Sequence, residues 1–345
     1  MHSVRAFAIV ALAPAGLIAL GATAGGGWIW AALGYMTLFA WALDKLVPAT
    51  GAPARPEDNA RQADLISVLL AIAHFLLLGL TVRALAGGGF GAAASGGLYL
   101  AAGLFFGQVS NANAHELIHR GDRRLFDLGK WVYISLLFGH HTSAHTKVHH
   151  RFAATSDDPN TARTGESFYA FAPRAWRGSF KQGYEMERAD IMRRGTGGAT
   201  PYLTYVVGAV GFLLLTGIAF GWAGIAAYLA LAAYAQIQLL LSDYVQHYGL
   251  SRVIGDDGKP EPIAPRHSWN ASGWFTTHLM LNAPRHSDHH AHPARRYPAL
   301  ALPEPTAAPR LPASLPVMSV LALYPAGWRR VMGRALDRWA GEAGA

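Results

Sequence analysis

Six stretches of the chain are apolar over lengths that suit a bilayer crossing, and between them the sequence turns polar. About 20 consecutive apolar residues span the hydrocarbon as a helix. Spans are therefore expected at 4–22, 28–46, 63–85, 96–119, 202–220 and 222–247. The first follows a short start bearing Arg5 and has the look of a leader. A second apolar stretch follows almost at once, and Ala22-Thr-Ala24 is a weak cleavage cue, so a retained helix is expected, joined to the next by the Gly-rich turn Gly21 to Gly27. Pro48 to Gln62 reads as a loop. Trp131 to Phe138 is apolar but too short to span, which predicts an interfacial or re-entrant segment. Two polar regions, 120–200 and 251–345, remain for a cap; the second carries a short basic amphipathic stretch from Val331 to Trp339. The expected fold is an all-α integral membrane protein of about six transmembrane helices, one domain over 1–345.

Composition agrees with this pattern. The chain is 52% hydrophobic and 14% charged, against about 25% charged in soluble domains. Lys45, Arg55 and Arg61 follow span two, Arg120 to Arg194 follow span four, and Arg252 to Arg338 follow span six. The turns after spans one, three and five are nearly uncharged. The positive-inside rule then predicts both termini in the cytoplasm; the expected location is a bacterial inner membrane. The net charge of +8 is spread over loops, without the clustered stripe or recognised module of a nucleic-acid binder. There is no cysteine, which excludes disulfides, Fe–S clusters and thiolate-held metals and leaves His, Asp and Glu as metal ligands.

Sixteen histidines supply those ligands, and most fall into four groups at the ends of spans four and six. They are His115-Glu-Leu-Ile-His119, His145-x-x-x-His149-His150, Asp243-Tyr-Val-Gln-His247, and Arg285-His286-Ser-Asp288-His289-His290-Ala-His292. Histidines three or four apart on an α-helix share a face, so three of the groups offer ligands from one face: His115 with His119, His145 with His149, and His286 with His289 and His290; the third group offers His247 alone. A zinc protease built on the His115-Glu116 motif would need only two histidines and one further ligand, and has no use for the others. Nine imidazoles exceed the roughly four to six ligands of one first-row ion, so two ions are expected, and redox chemistry favours iron.

The four groups resemble the histidine motifs of the integral-membrane alkane 1-monooxygenase and xylene monooxygenase family, in order and spacing from residue 115 to 293. The resemblance covers His115 to Arg120, His145 to His150 with Ala154-Thr155, Asp158-Pro159 and Ala162-Arg163, Asp243 to Leu250, and Arg285 to Pro293. It implies a di-iron hydroxylase that uses O2 to attack a terminal C–H of an alkane or a benzylic methyl. A separate rubredoxin or ferredoxin with its reductase would supply electrons. It also implies that His115, His119, His145, His149, His150, His247, His286, His289 and His290 hold the two iron ions. Ala144, Asp243 and Gln246 depart from the family pattern, which has Glu, Asn and Glu there.

Three carboxylates beside the ligands, Glu116, Asp158 and Asp288, are expected to accept from imidazole N–H groups and fix tautomers. His140, His141 and His292 are spare, expected to be peripheral or solvent-facing, and Trp28, Trp30 and Trp41 to face lipid or its interface. The arginines of the cap, among them Arg120, Arg123, Arg124, Arg151, Arg174, Arg177, Arg295 and Arg296, predict a basic docking face for an acidic electron donor. An acyl desaturase or lipid hydroxylase uses similar motifs, though its later ones are typically HxxHH rather than the HxxxHH at His145. A metal transporter would need ionisable ligands near the bilayer midplane, where His74 stands alone.

Overall fold

The computed structural model describes residues 4–47, 59–195 and 197–343. Among them it is all-helical apart from two isolated bridges. The expected loop Pro48 to Gln62 lies largely outside the described residues.

Helix α1 (Val4–Ala24) turns at Gly25 and Gly26, both at positive φ, into α2 (Gly27–Gly34). A side chain at Gly25 would also strike the Phe90 ring, so the turn has two reasons to be glycine. A π-helical segment (Tyr35–Phe39) joins α2 to α3 (Ala40–Leu46). Helix α4 (Ala60–Ala86) follows. Next come α5 (Ala92–Leu104), a second π segment (Phe105–Ser110) and α6 (Asn111–Ile118), continuous over 27 residues. The expected fifth and sixth spans form α11 (Tyr202–His247), broken by Gly221 at φ 63° and ψ −160°. Contacts show that the chain reverses there. Gly208 and Tyr205 before the break, and Tyr228 and Gln236 after it, all meet the same stretch, residues 134–139. Ile218 and Trp222 at the hairpin tip are each 85% exposed, which suits lipid and not water.

The short apolar run became the C-terminal part of α7 (Arg123–Ser135), an amphipathic helix capped by Asp122, whose Oδ1 accepts from the Arg124 and Leu125 amides. In the cap, α8 (His141–Ser143), a third π segment (Ala144–His149) and α9 (His150–Phe152) run without a break. The polar region that follows, expected only as part of the cap, forms α10 (Phe168–Arg194), capped by Ser167 and ended by Gly195 at positive φ. Helices α12 (Trp274–Leu279), α13 (His286–Ala291), α14 (Leu315–Ala322) and α15 (Pro325–Ala343) complete it. Helix α15 extends the expected amphipathic stretch at both ends and seats Trp328, Met332 and Ala335 in the core.

Carboxylates at the cap-side ends of three spans fasten the cap. Asp44 of α3 accepts from the Phe275 and Thr276 amides and the Thr276 hydroxyl. Asp64 of α4 takes both arms of Arg296 at 2.9 and 2.8 Å. Glu116 of α6 takes Arg120 at 2.5 Å and the Tyr297 amide at 3.1 Å.

Candidate metal centre

All nine motif histidines converge. His115, His119, His145, His150 and His289 form one set, and His149, His247, His286 and His290 another, the ligand atoms of each set lying within 4.8 Å of one another. The sets adjoin: the His150 and His290 ring centroids are 4.6 Å apart.

The partition differs from the expected pairing by helical face. His145 and His149 part company, as do His289 and its neighbours His286 and His290. The first split follows from backbone geometry. Residues 144–149 are π-helical, and a π-helix bonds i to i+5. It therefore aligns His145 with His150, whose Nε2 atoms stand 3.0 Å apart, and turns His149 to the other side. In α13 the four-residue pair His286 and His290 stays together, Nε2 to Nε2 at 3.1 Å, while His289 reaches His150 at 3.1 Å.

The nitrogens fit a cation. His145, His150 and His289 point Nε2 atoms at a shared position, as do His247, His286 and His290, with His247 and His286 2.9 Å apart. An imidazole nitrogen pair shares at most one proton, so these sets cannot satisfy themselves. The Nε2 atoms of His115, His119 and His149 have no hydrogen-bond partner among the described residues. Leaving a buried polar atom unpaired costs about 1–3 kcal/mol, a penalty that a bound ion removes at every one of these atoms. Burial, with the repulsion of neighbouring imidazoles, holds His145, His150, His286, His289 and His290 well below the usual histidine range. They are neutral at pH 7, the form that binds metal.

His149 is the exception. Burial works against its cation, but Asp158 beside it more than compensates and raises it. Asp158 Oδ2 faces His149 Nδ1 at 2.9 Å, accepts from Thr161 Oγ1 at 2.7 Å, and its Oδ1 accepts from the Asn160 amide. That is the carboxylate-to-imidazole contact expected of it. The other two carboxylates do otherwise. Glu116 is taken up by Arg120 and Tyr297, and Asp288 by Arg295, the Ala301 amide and His292, which is outside both sets. Each neutralises an arginine a few residues further along the chain, Arg120 for Glu116 and Arg295 for Asp288, and neither is bonded to a motif imidazole.

The spare histidines divide as well. His292 is half-exposed on Asp288. His140 and His141 are buried, the first against Phe138, Trp176 and Phe180, the second lining the chamber described below. The basic face also shrinks: Arg120, Arg174, Arg295 and Arg296 are bound to Glu116, Glu166, Asp288 and Asp64.

Sequence reasoning missed the clamp on the π segment. Lys147 reaches Glu187 at 2.7 Å and Asp190 at 2.6 Å on α10, and Ser143 donates to Glu187. The i, i+3 carboxylates in a region with aromatic residues were the available signal. It also missed Asn160, whose amide bridges the Asp158 segment to Asp243 at 2.6 Å. Of the three departures from the family pattern, Asp243 is thus tied to Asn160. Gln246 accepts from Ser242 and donates to the Ala283 carbonyl, and Ala144 is buried where Gly183 of α10 passes close.

A chamber of about 50 Å³ lies against His115, His145 and His286, walled also by Tyr133, His141 and Asp243. Through Gly107, Gln108, Ser242 and Met280 it adjoins a groove of about 420 Å³ between α3, the second π segment, α11 and α14. The groove walls are mostly apolar, Met36, Leu38, Trp41, Ile237, Leu315 and Val320 among them. Trp41, expected to face lipid or its interface, is 53% exposed and also lines this groove.

The family described as fatty acid desaturase matches residues 90–322. The chain is 31% identical over 255 residues to alkane 1-monooxygenase 2 of Alcanivorax borkumensis, covering 73% of this chain and 66% of that protein. It is 33% identical over 244 residues to alkane 1-monooxygenase 2 of Pseudomonas aeruginosa, covering 68% and 63%. The hydroxylase component of xylene/toluene monooxygenase from Pseudomonas putida is 28% identical over 224 residues, 62% of this chain and 57% of that one. The match thus spans somewhat less than two thirds of these relatives' own lengths.

Proposed function

This chain belongs to the fatty acid desaturase family, and we propose that within it the protein is a membrane-bound di-iron monooxygenase that hydroxylates an apolar substrate. The observation that carries the reading is the pair of buried or half-buried, self-unsatisfied histidine sets beside the chamber that adjoins an apolar groove. In outline R–CH3, O2, two electrons and two protons give R–CH2OH and water, the C–H being a terminal alkane or benzylic one. His115, His119, His145, His150 and His289 would hold one iron, and His149, His247, His286 and His290 the other. Two irons bound there supply the oxygen activation.

The chain's own residues do the rest. Asp158 keeps the His149 proton on Nδ1 and so presents Nε2. The clamp from α10 fixes the π segment that serves both sets. Groove residues such as Leu38, Ile237 and Val320 hold the substrate by burial, at about 0.8 kcal/mol per CH2, and keep water from the reacting end. Electrons would come from a rubredoxin or ferredoxin, since a chain without cysteine holds no sulfur relay of its own. The donor would meet the cap side, which by the positive-inside reading of the arginines would face the cytoplasm, in a bacterial inner membrane with the whole of 1–345 as one hydroxylase domain.

The test is a product screen of membranes containing this chain with a donor and its reductase, together with metal analysis. Alcohols from alkanes or alkylbenzenes and about two irons per chain are expected. One zinc and no iron in active protein would sink the reading. An unsaturated product in place of an alcohol would return the protein to desaturase chemistry.

A further inference from the structure

The junction between groove and chamber contains a group that the hydroxylation of a plain hydrocarbon does not use. Gln108 is 8% exposed, and it lines both spaces. Its Oε1 has no hydrogen-bond partner among the described residues. It lies on the second π segment (Phe105–Ser110), a type of helix distortion that often marks functional positions.

The neighbours that have protons to give are committed elsewhere. Ser242 Oγ donates to Gln246 Oε1, Gln238 Nε2 to the Gly103 carbonyl, and Asn111 Nδ2 to the carbonyls of Gly107 and Ala235. Gly107 and Met280, the other members of the junction, have no side-chain proton to offer. No side chain of the junction itself donates to Gln108 Oε1 among the described residues, and His141, whose Nδ1 is also without a partner, lines the chamber and not the groove, so the geometry leaves the junction's occupant as the donor. An amide acceptor left bare beside a hydrocarbon chain is a penalty, whereas a site that accepts from a substrate O–H discriminates strongly against the analogue lacking it.

We propose that Gln108 is a specificity-determining residue that accepts a hydrogen bond from a hydroxyl on the substrate, so that the preferred substrate is an apolar molecule already carrying one hydroxyl. This rests on the hydroxylase reading and names its substrate class. Gln108 and His115 are seven residues apart on one continuous helix, roughly 10 Å along its axis. The recognised hydroxyl thus lies several bonds from the carbon that reacts.

The full chain in detergent, without electron donor and so without turnover, would be titrated with decane and with decanols bearing the hydroxyl at carbons 1 to 5. Affinities come from displacement of a spin-labelled fatty chain. At least one decanol is expected to bind about tenfold more tightly than decane, the scale of one well-made hydrogen bond. In Gln108→Met, a side chain of similar length, that preference should vanish while decane binds as well or better. Each compound's partition into the detergent is measured separately and divided out of its affinity. Equal affinity for decane and every decanol in the unaltered protein would overturn the proposal, whether or not the variant folds. So would a preference that survives in Gln108→Met, since the hydroxyl would then be held elsewhere. The same compounds supplied with donor and reductase separate the two readings. Oxygenated product without alcohol preference removes only this proposal. A preference lost in Gln108→Met with no oxygenated product from any compound supports the binding assignment and overturns the hydroxylase reading.

Discussion

Replacing Asp158 by Asn should weaken one ion and leave the other. The carboxylate is fully buried, makes three hydrogen bonds, and is joined directly to only one motif histidine. Its Oδ2 fixes the proton of His149 on Nδ1. Asn keeps the shape but can turn an NH2 toward Nδ1, which moves the imidazole proton to Nε2, the atom that must bind metal. Loss of such an orienting partner typically costs 10–100-fold in metal affinity, or about 1.4–2.7 kcal/mol. The effect should fall on the set His149, His247, His286 and His290. The five-histidine set contains no ring bonded to Asp158, so it should keep its affinity. Iron bound per chain, followed by elemental analysis during titration with a chelator, would then change from one release step to two, the first at about 10–100-fold lower chelator strength. Release of both ions together, or an unchanged profile, would refute the argument that Asp158 acts through His149 alone.

Three further outcomes follow from the geometry. Glu116→Gln leaves Arg120 without its partner in a buried pair, a change worth about 3–5 kcal/mol; it should lower the thermal midpoint clearly while folded protein still binds two ions, and loss of metal at unchanged stability would contradict this. His149→Ala, His247→Ala and His289→Ala should each abolish hydroxylation, whereas His292→Ala, whose ring is half-exposed and outside both sets, should keep most of it; full activity in His247→Ala would remove that residue from the site. Donor-dependent turnover should fall as ionic strength rises, and Arg123→Glu with Arg151→Glu should raise the apparent KM for donor, a pair chosen because reversing Arg295 or Arg296 would break its tie to Asp288 or Asp64; a flat salt profile would mean the basic face does not steer the donor.

The membrane-spanning part was legible because a bilayer sets a length and a hydropathy that read directly from composition. The histidines were legible because nine imidazoles in four dense groups have no structural excuse. How they divide was not, since the pairing rule assumed α-helical spacing and residues 144–149 take one extra residue per turn closure. Glu116 and Asp288 were misjudged for a different reason: each has an arginine close by in sequence, Arg120 and Arg295, that takes the carboxylate ahead of an imidazole, and the amides that complete its bonding, Tyr297 and Ala301, come from far along the chain or across a loop, where spacing carries no information. Helix α10 stayed hidden because it serves the site by polar contacts, through Glu187 and Asp190, and so lacks the apolar period that announces a helix.

The three carboxylates that fasten the cap sit on three different spans, α3, α4 and α6. Helix α4 is 27 residues long, as is the run containing α6, about 40 Å each against a hydrocarbon thickness of about 30 Å. Helices this long accommodate a bilayer by tilting, and the tilt changes with its thickness. Any such change moves Asp44, Asp64 and Glu116 relative to one another, and with them α12 and the segment around Arg296 and Tyr297, which flank α13 on either side in sequence. The acyl-chain length of the host lipid is thereby a mechanical input to the spacing of His286, His289 and His290, and reconstitution in lipids of graded chain length should tune metal retention without any change to the protein.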